Sequence, residues 1–142
     1  MINKIKKMRV VLIIDSDEGV RSSLEDIFEE EIGGFSVLKA YDGLEGVKLA
    51  KENPIDLVIL SLFIDSSLKG DKIIEQVKKY HPGVKVAIFS GLTLDGPWTS
   101  PYEIEAAERI KQLGFDAYKV KPSDPLEIIQ MVKELFEDKS GF

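Results

Sequence analysis

Asp56-Leu57-Val58-Ile59-Leu60-Ser61 is an apolar run that begins on a carboxylate and stops on a hydroxyl. A strand covered on both faces reads as nearly unbroken branched aliphatics, because neither side of its pleat meets water. Extended back to Ile55, this run is the third of five. The others are Arg9–Ile14, Phe35–Ala40, Val84–Phe89 and Phe115–Val120. The first, third and fourth are dominated by Val, Ile and Leu, as a buried parallel sheet requires.

Segments of helical period separate and follow these runs, each with readable punctuation. Asp17 can cap a first helix with Val20, Leu24, Ile27 and Phe28 inward, and Gly33-Gly34 breaks the chain after it. Asp42 can cap a second, with Leu44, Val47 and Ala50 inward, which Pro54 stops. Asp71 starts a third, with Ile73, Ile74, Val77 and Tyr80 on its apolar face. Ser100-Pro101-Tyr102-Glu103 has the form of a capping box with proline at the first helical position, and Gly114 ends that helix. Asp124-Pro125-Leu126-Glu127 repeats the device for a fifth helix, expected to bury Leu126, Ile129, Val132 and Phe136. The order is (βα)5. Right-handed crossovers turn it into an α/β, doubly wound, parallel five-stranded sheet in a three-layer sandwich.

A chain of 142 residues is expected to form one domain, 1–142, with a core over about 8–138 and a basic tail at 1–7, where Lys4, Lys6 and Lys7 are solvated. The net charge of -6 argues against nucleic acid as an obligatory partner, since phosphate backbones demand a basic face. With no cysteine there is no disulfide framework and no thiolate metal site. No apolar run is long enough to span a bilayer, and Met1–Met8 lacks the apolar core of a signal peptide, so no membrane association and a cytoplasmic location are expected. His81-Pro82 reads as a helix end with no second metal ligand nearby.

In such a sheet the working residues lie where strands end. The first strand ends in Asp15-Ser16-Asp17, the third in Ser61, the fourth in Ser90-Gly91 and the fifth in Lys121-Pro122. A carboxylate, hydroxyls and an ammonium converging at one sheet edge outline a phosphoryl site. Asp56, at the opposite end of its strand, is expected to be structural.

Four fragments in this order resemble the response-regulator receiver (CheY-like) domain of two-component signalling, a flavodoxin-like fold. They are Val11–Arg21, Ala40–Gly46, Pro54–Leu60 and Ala117–Pro122, and the resemblance runs from about Met8 to about Asp138. It implies that Asp15 matches the first of two magnesium-binding acids and that Ser16 stands where the second should be. Ser61 falls at the phosphoacceptor aspartate. Ser90 matches the hydroxyl that contacts the phosphoryl group, Lys121 the lysine whose bond to the following proline is usually cis, and Tyr118 the aromatic switch position.

The departures from that pattern set the functional expectation. A hard dication wants several anionic oxygens, and this pocket keeps only one of three expected carboxylates, so no cofactor is expected and magnesium binding should be weak or absent. A serine hydroxyl cannot become an acyl phosphate. Asp65, in the loop after Ser61, has no matched position, and the stretch from Gly91 to Ser100 with Trp98 is longer than the family norm. Lys121 is expected to point to Asp15 or Ser61 and to hold the strand ends together without metal. At ~4 Å an ammonium and a carboxylate gain roughly 4 kcal/mol before desolvation, at an effective dielectric of about 20.

The resulting expectation is an atypical receiver, not an enzyme, that works by binding a signalling protein. The family resemblance places the contact on the face of the fourth helix, fifth strand and fifth helix. A homodimer is possible, and with no output domain after Phe142 any effect runs through another molecule. An enzymatic alternative reads Ile13–Asp17 as the nucleophile motif of haloacid-dehalogenase-like phosphatases, with Asp15 attacking and Asp17 as acid/base. Ser90 and Lys121 would then serve as the second and third motifs, but no later strand ends in the acidic pair that would hold magnesium. A flavin or nucleotide binder fits less well, because no glycine-rich turn follows the first strand.

Overall fold

The computed structural model describes residues 8–61, 70–91 and 100–137. The basic tail, Asp65 and Trp98 lie outside the described residues. Five strands form one parallel sheet: β1 (Arg9–Ile14), β2 (Phe35–Ala40), β3 (Leu57–Leu60), β4 (Lys85–Ser90) and β5 (Ala117–Val120). Their spatial order is β2-β1-β3-β4-β5. This is the doubly wound order whose direction reverses between β1 and β3.

The helices are α1 (Glu18–Asp26), α2 (Gly43–Glu52), α3 (Gly70–Tyr80), α4 (Pro101–Leu113) and α5 (Pro125–Phe136). The period-2 alternation of the strands divides the core in two. Leu12, Ile14, Val58, Leu60, Val86 and Ile88 pack with Ala50 of α2, Ile73, Ile74 and Val77 of α3, and Ala107 and Ile110 of α4. Val11, Ile13, Leu57, Ile59, Ala87 and Phe89 face the other way, against Leu24 of α1 and Ile128, Met131 and Val132 of α5. Both faces of the sheet are thereby covered.

The capping residues act as their types suggest. Asp17 accepts from the Gly19 amide at 2.7 Å, Asp42 from Glu45 at 2.8 Å, Ser100 from Glu103 at 3.1 Å and Asp124 from Leu126 at 2.9 Å. Asp56 is structural: its carboxylate accepts the Val10 amide at 2.8 Å, and its carbonyl accepts the Lys85 amide at 3.0 Å. It ties β1, β3 and β4 together at their amino ends. Asp116 does the same for β4, accepting the Val86 amide at 2.8 Å.

Three inward assignments are corrected. Leu44 is 57% exposed, because α2 turns Gly43, Gly46 and Ala50 to the sheet instead. A Cβ on Gly46 would lie 2.5 Å from Ile14 Cδ1, so the helix sits too close to β1 for a larger residue. Leu126 is 72% exposed, and the inner stripe of α5 is Ile128, Met131 and Val132, with Ile129 half-buried at its margin. Tyr80 lies at the exposed end of α3. That helix begins at Gly70, one residue before Asp71, which is buried in its first turn. β3 and β5 each start two residues later than their apolar runs.

After Asp26 the first helix widens into a π-helical turn, Ile27–Ile32, whose last bond runs from the Gly33 amide to the Phe28 carbonyl at 2.8 Å. Gly33 and Gly34 then take φ of 70° and 76°, a left-handed conformation that glycine adopts without penalty. Phe28 stays fully buried, edge-on to Phe35 at 5.0 Å. Among the described residues, no helix is long and apolar enough to cross a membrane.

Candidate functional site at the carboxyl ends of the strands

The register builds the site. Ile14 pairs with Leu60, so the next residues, Asp15 and Ser61, leave neighbouring strands side by side at the topological switch point. The Ser61 amide donates to the Ile14 carbonyl at 3.1 Å, which prolongs the ladder by one step. On the other flank Ser90 pairs with Val120, and the Lys121 amide donates to the Ser90 carbonyl at 2.8 Å. Lys121 is thereby launched from β5 across the end of β4. The Lys121–Pro122 peptide is cis.

Its ammonium reaches the middle of the site. Lys121 Nζ lies 2.5 Å from Asp15 Oδ2 and 3.0 Å from Ser61 Oγ. Both partners are shielded from water, Asp15 at 4% and Ser61 at 8% exposure. The second carboxylate oxygen of Asp15 accepts the Asp17 amide at 2.9 Å. An ammonium and a backbone N–H thus satisfy the two oxygens of a buried carboxylate, as burial of a charge demands. Ser90 is also buried. Among the described residues no group of three or more Asp, Glu, His or Cys side chains could hold a metal ion.

Most of the residues singled out from sequence meet here, and three do not. Ser16 is exposed beside the site. The Asp17 carboxylate is turned to the first turn of α1, where it accepts from Gly19 and from Val20, the latter at 3.3 Å. Tyr118 is half-buried one strand away, packed against the core on the α3–α4 side, with its ring edge-on to Phe115 at 5.9 Å. Arg21 and Phe89 were not anticipated. Arg21 Nη1 donates to the Asp15 carbonyl at 2.7 Å, and the Phe89 ring lies under Lys121 Nζ at 5.6 Å from its centroid. Arg21 stands one turn beyond the capping Asp17, a spacing that returns its side chain toward the strand end. On the α1–α5 side the site adjoins an apolar cleft of about 470 Å³ lined by Val20, Leu24, Ile27, Phe89 and Ile128.

A family model for the response regulator receiver domain matches residues 11–133. The chain is 29% identical over 128 residues to an NtrX-like response regulator of Rickettsia bellii, covering 89% of this chain and 24% of that protein. It is 26% identical over 123 residues to the regulatory protein VanRc of Enterococcus gallinarum, covering 87% of this chain and 48% of that protein. The chain therefore spans less than half the length of either relative. Among solved structures, the CheY-like response regulator receiver domain protein of Methanospirillum hungatei JF-1 superposes with a TM-score of 0.73 at 24% identity, covering 90% of this chain and 93% of that one. That likeness is one of fold.

Proposed function

This chain belongs to the response regulator receiver domain family of two-component signalling, and on that premise we propose that it is a receiver not switched by aspartyl phosphorylation. The observation that carries this reading is the position of Lys121 Nζ, within hydrogen-bonding distance of both Asp15 and Ser61. Residue 61 occupies the strand end beside Asp15, where a reactive acid would have to stand, and it offers a hydroxyl. A carboxylate there could accept a phosphoryl group as an acyl phosphate, whereas a serine hydroxyl has no comparable driving force. Magnesium binding is weak in this reading. A small, hard dication keeps several waters and draws on more than one anionic oxygen. Among the described residues a single carboxylate, Asp15, faces the site, and its oxygens already accept from an ammonium and an amide.

Without a phosphoryl group, any shift between conformations must come from another interaction that distinguishes them. The chain then acts through a protein partner. The contact face is formed by α4, β5 and α5, where Ile104, Val120 and Leu126 leave large apolar surface in water. The phosphatase alternative finds less support, because the Asp17 carboxylate that would serve as acid/base is the cap of α1.

Incubation with acetyl phosphate and magnesium, followed by intact mass, tests the central claim. The expected result is no added mass. A gain of one phosphoryl group would overturn the reading and direct attention to Asp15 or Asp65.

A further inference from the structure

We propose that α3 and α4 form a single rigid unit, clamped at both ends of their seam, and that Arg109 and Lys78 are the residues that position α4. The inference rests on the reading of α4 as part of the contact face. The seam is first apolar: Ile74 and Val77 on α3 and Ala107 and Ile110 on α4 are buried in one cluster. The small Ala107 side chain allows the two helices to approach closely, which leaves little room between them for adjustment.

Polar groups flank that seam in register. Asp71, Glu75 and Lys78 recur at i, i+4 and i+7, so they lie along one face of α3 over about 10 Å. Arg109 of α4 answers the first two, with Nη2 at 2.5 Å from Glu75 Oε2 and Nε at 3.8 Å from Asp71 Oδ2. One guanidinium fork thus spans two carboxylates a turn apart, a geometry that a point-charge ammonium could not match. Asp71 is itself buried, and Arg109 brings it an opposite charge from α4.

At the other end Lys78 Nζ donates to the carbonyls of Leu113 at 2.6 Å and Gly114 at 3.0 Å. These are the last carbonyls of α4, which have no partner within the helix, and a cation there also complements the helix dipole. Gly114, at φ 84°, turns the chain away at this point, and a Cβ added to it would meet Lys78 Nζ at 3.7 Å. The amino half of α3 therefore holds the middle of α4, and its carboxyl half caps the end of α4.

The consequence concerns how a signal would travel. A displacement of α3 would carry α4 with it, and α4 would not move against α3 by itself.

Hydrogen exchange of the full chain, followed helix by helix, tests the clamp. In the unaltered protein, α3 and α4 amides should share one opening free energy, distinct from that of α5. Arg109→Gln should speed exchange in α4 by about threefold, because the pair is partly exposed, and leave α3, α2 and α5 unchanged. Glu75→Gln should speed α4 exchange in the same direction, and the Glu75→Gln, Arg109→Gln double variant should lose less than the two single losses summed, a coupling that loss of packing alone would not produce. Lys78→Met should free only the last turn of α4, and it provides the test if the Arg109 variant does not fold. Unchanged α4 exchange, or a uniform rise across all five helices, would overturn the proposal. The measurement needs no partner, so it stands or fails independently of the contact-face reading.

Discussion

Replacing Lys121 by methionine keeps most of the stem and deletes the ammonium. Two bonds disappear: a charge-assisted one to Asp15 and a neutral-acceptor one to Ser61. Charge-assisted bonds contribute about 1.5–3 kcal/mol, and the second adds about 1 kcal/mol. The loss is compounded because Asp15 remains shielded, with only the Asp17 amide left to it among the described residues. The Lys121 side chain retains 22% of its exposure, so water can relieve part of this penalty. The net expectation is a loss of about 3 kcal/mol, or about 9 °C in Tm for a chain of this size. Urea unfolding followed by far-UV circular dichroism measures it, in a double-mutant cycle with Asp15→Asn. Once residue 121 is neutral, removing the carboxylate charge should cost little, so the two losses should fall short of additivity by about 2 kcal/mol. The coupling should change little with salt, because the pair is largely screened from bulk ions by burial. Additivity within about 0.5 kcal/mol would show that the pair does not hold the ends of β1 and β5 together, and would refute the reasoning.

Ser61→Asp should raise magnesium affinity, because it sets a second carboxylate beside Asp15. A magnesium titration of both proteins reads the difference, and equal affinities would show that the charge count at residue 61 does not limit metal binding. Gly46→Ala should destabilise by about 1–2 kcal/mol despite alanine's better helix propensity, since its Cβ would press on the buried Ile14 side chain; urea midpoints measure this.

The fold was legible because its signals are redundant. Buried strands announce themselves as aliphatic runs, and Asp17, Asp42, Ser100 and Asp124 mark helix starts through amide hydrogen bonds that few other residue types can make. Helix rotation was less legible. In α2 the sheet-facing stripe is Gly43, Gly46 and Ala50, chosen for closeness and not for apolarity, so the larger Leu44 drew the inward assignment. In α5 two apolar stripes overlap at Val132, and only contact with β1, β3 and β4 decides between them. The cluster of Asp15, Ser61, Ser90 and Lys121 followed from topology, because parallel strands end at a common edge. What residue type could not supply was direction. Asp17 turns to its own helix, and Arg21 turns back to the Asp15 carbonyl. The π turn at Ile27–Ile32 left no periodic trace in a segment as short as this.

The contact between Lys121 and Asp15 joins residues 106 positions apart, from the first strand to the last. Such a contact cannot assist early assembly, because β3 and β4 must be placed before the two ends can meet. Its energy is expected to be small in the folding transition state, so Lys121→Met should speed unfolding more than it slows folding. On that expectation the residue that fills the site would act as a late fastener, setting how long the finished sheet survives more than how fast it forms.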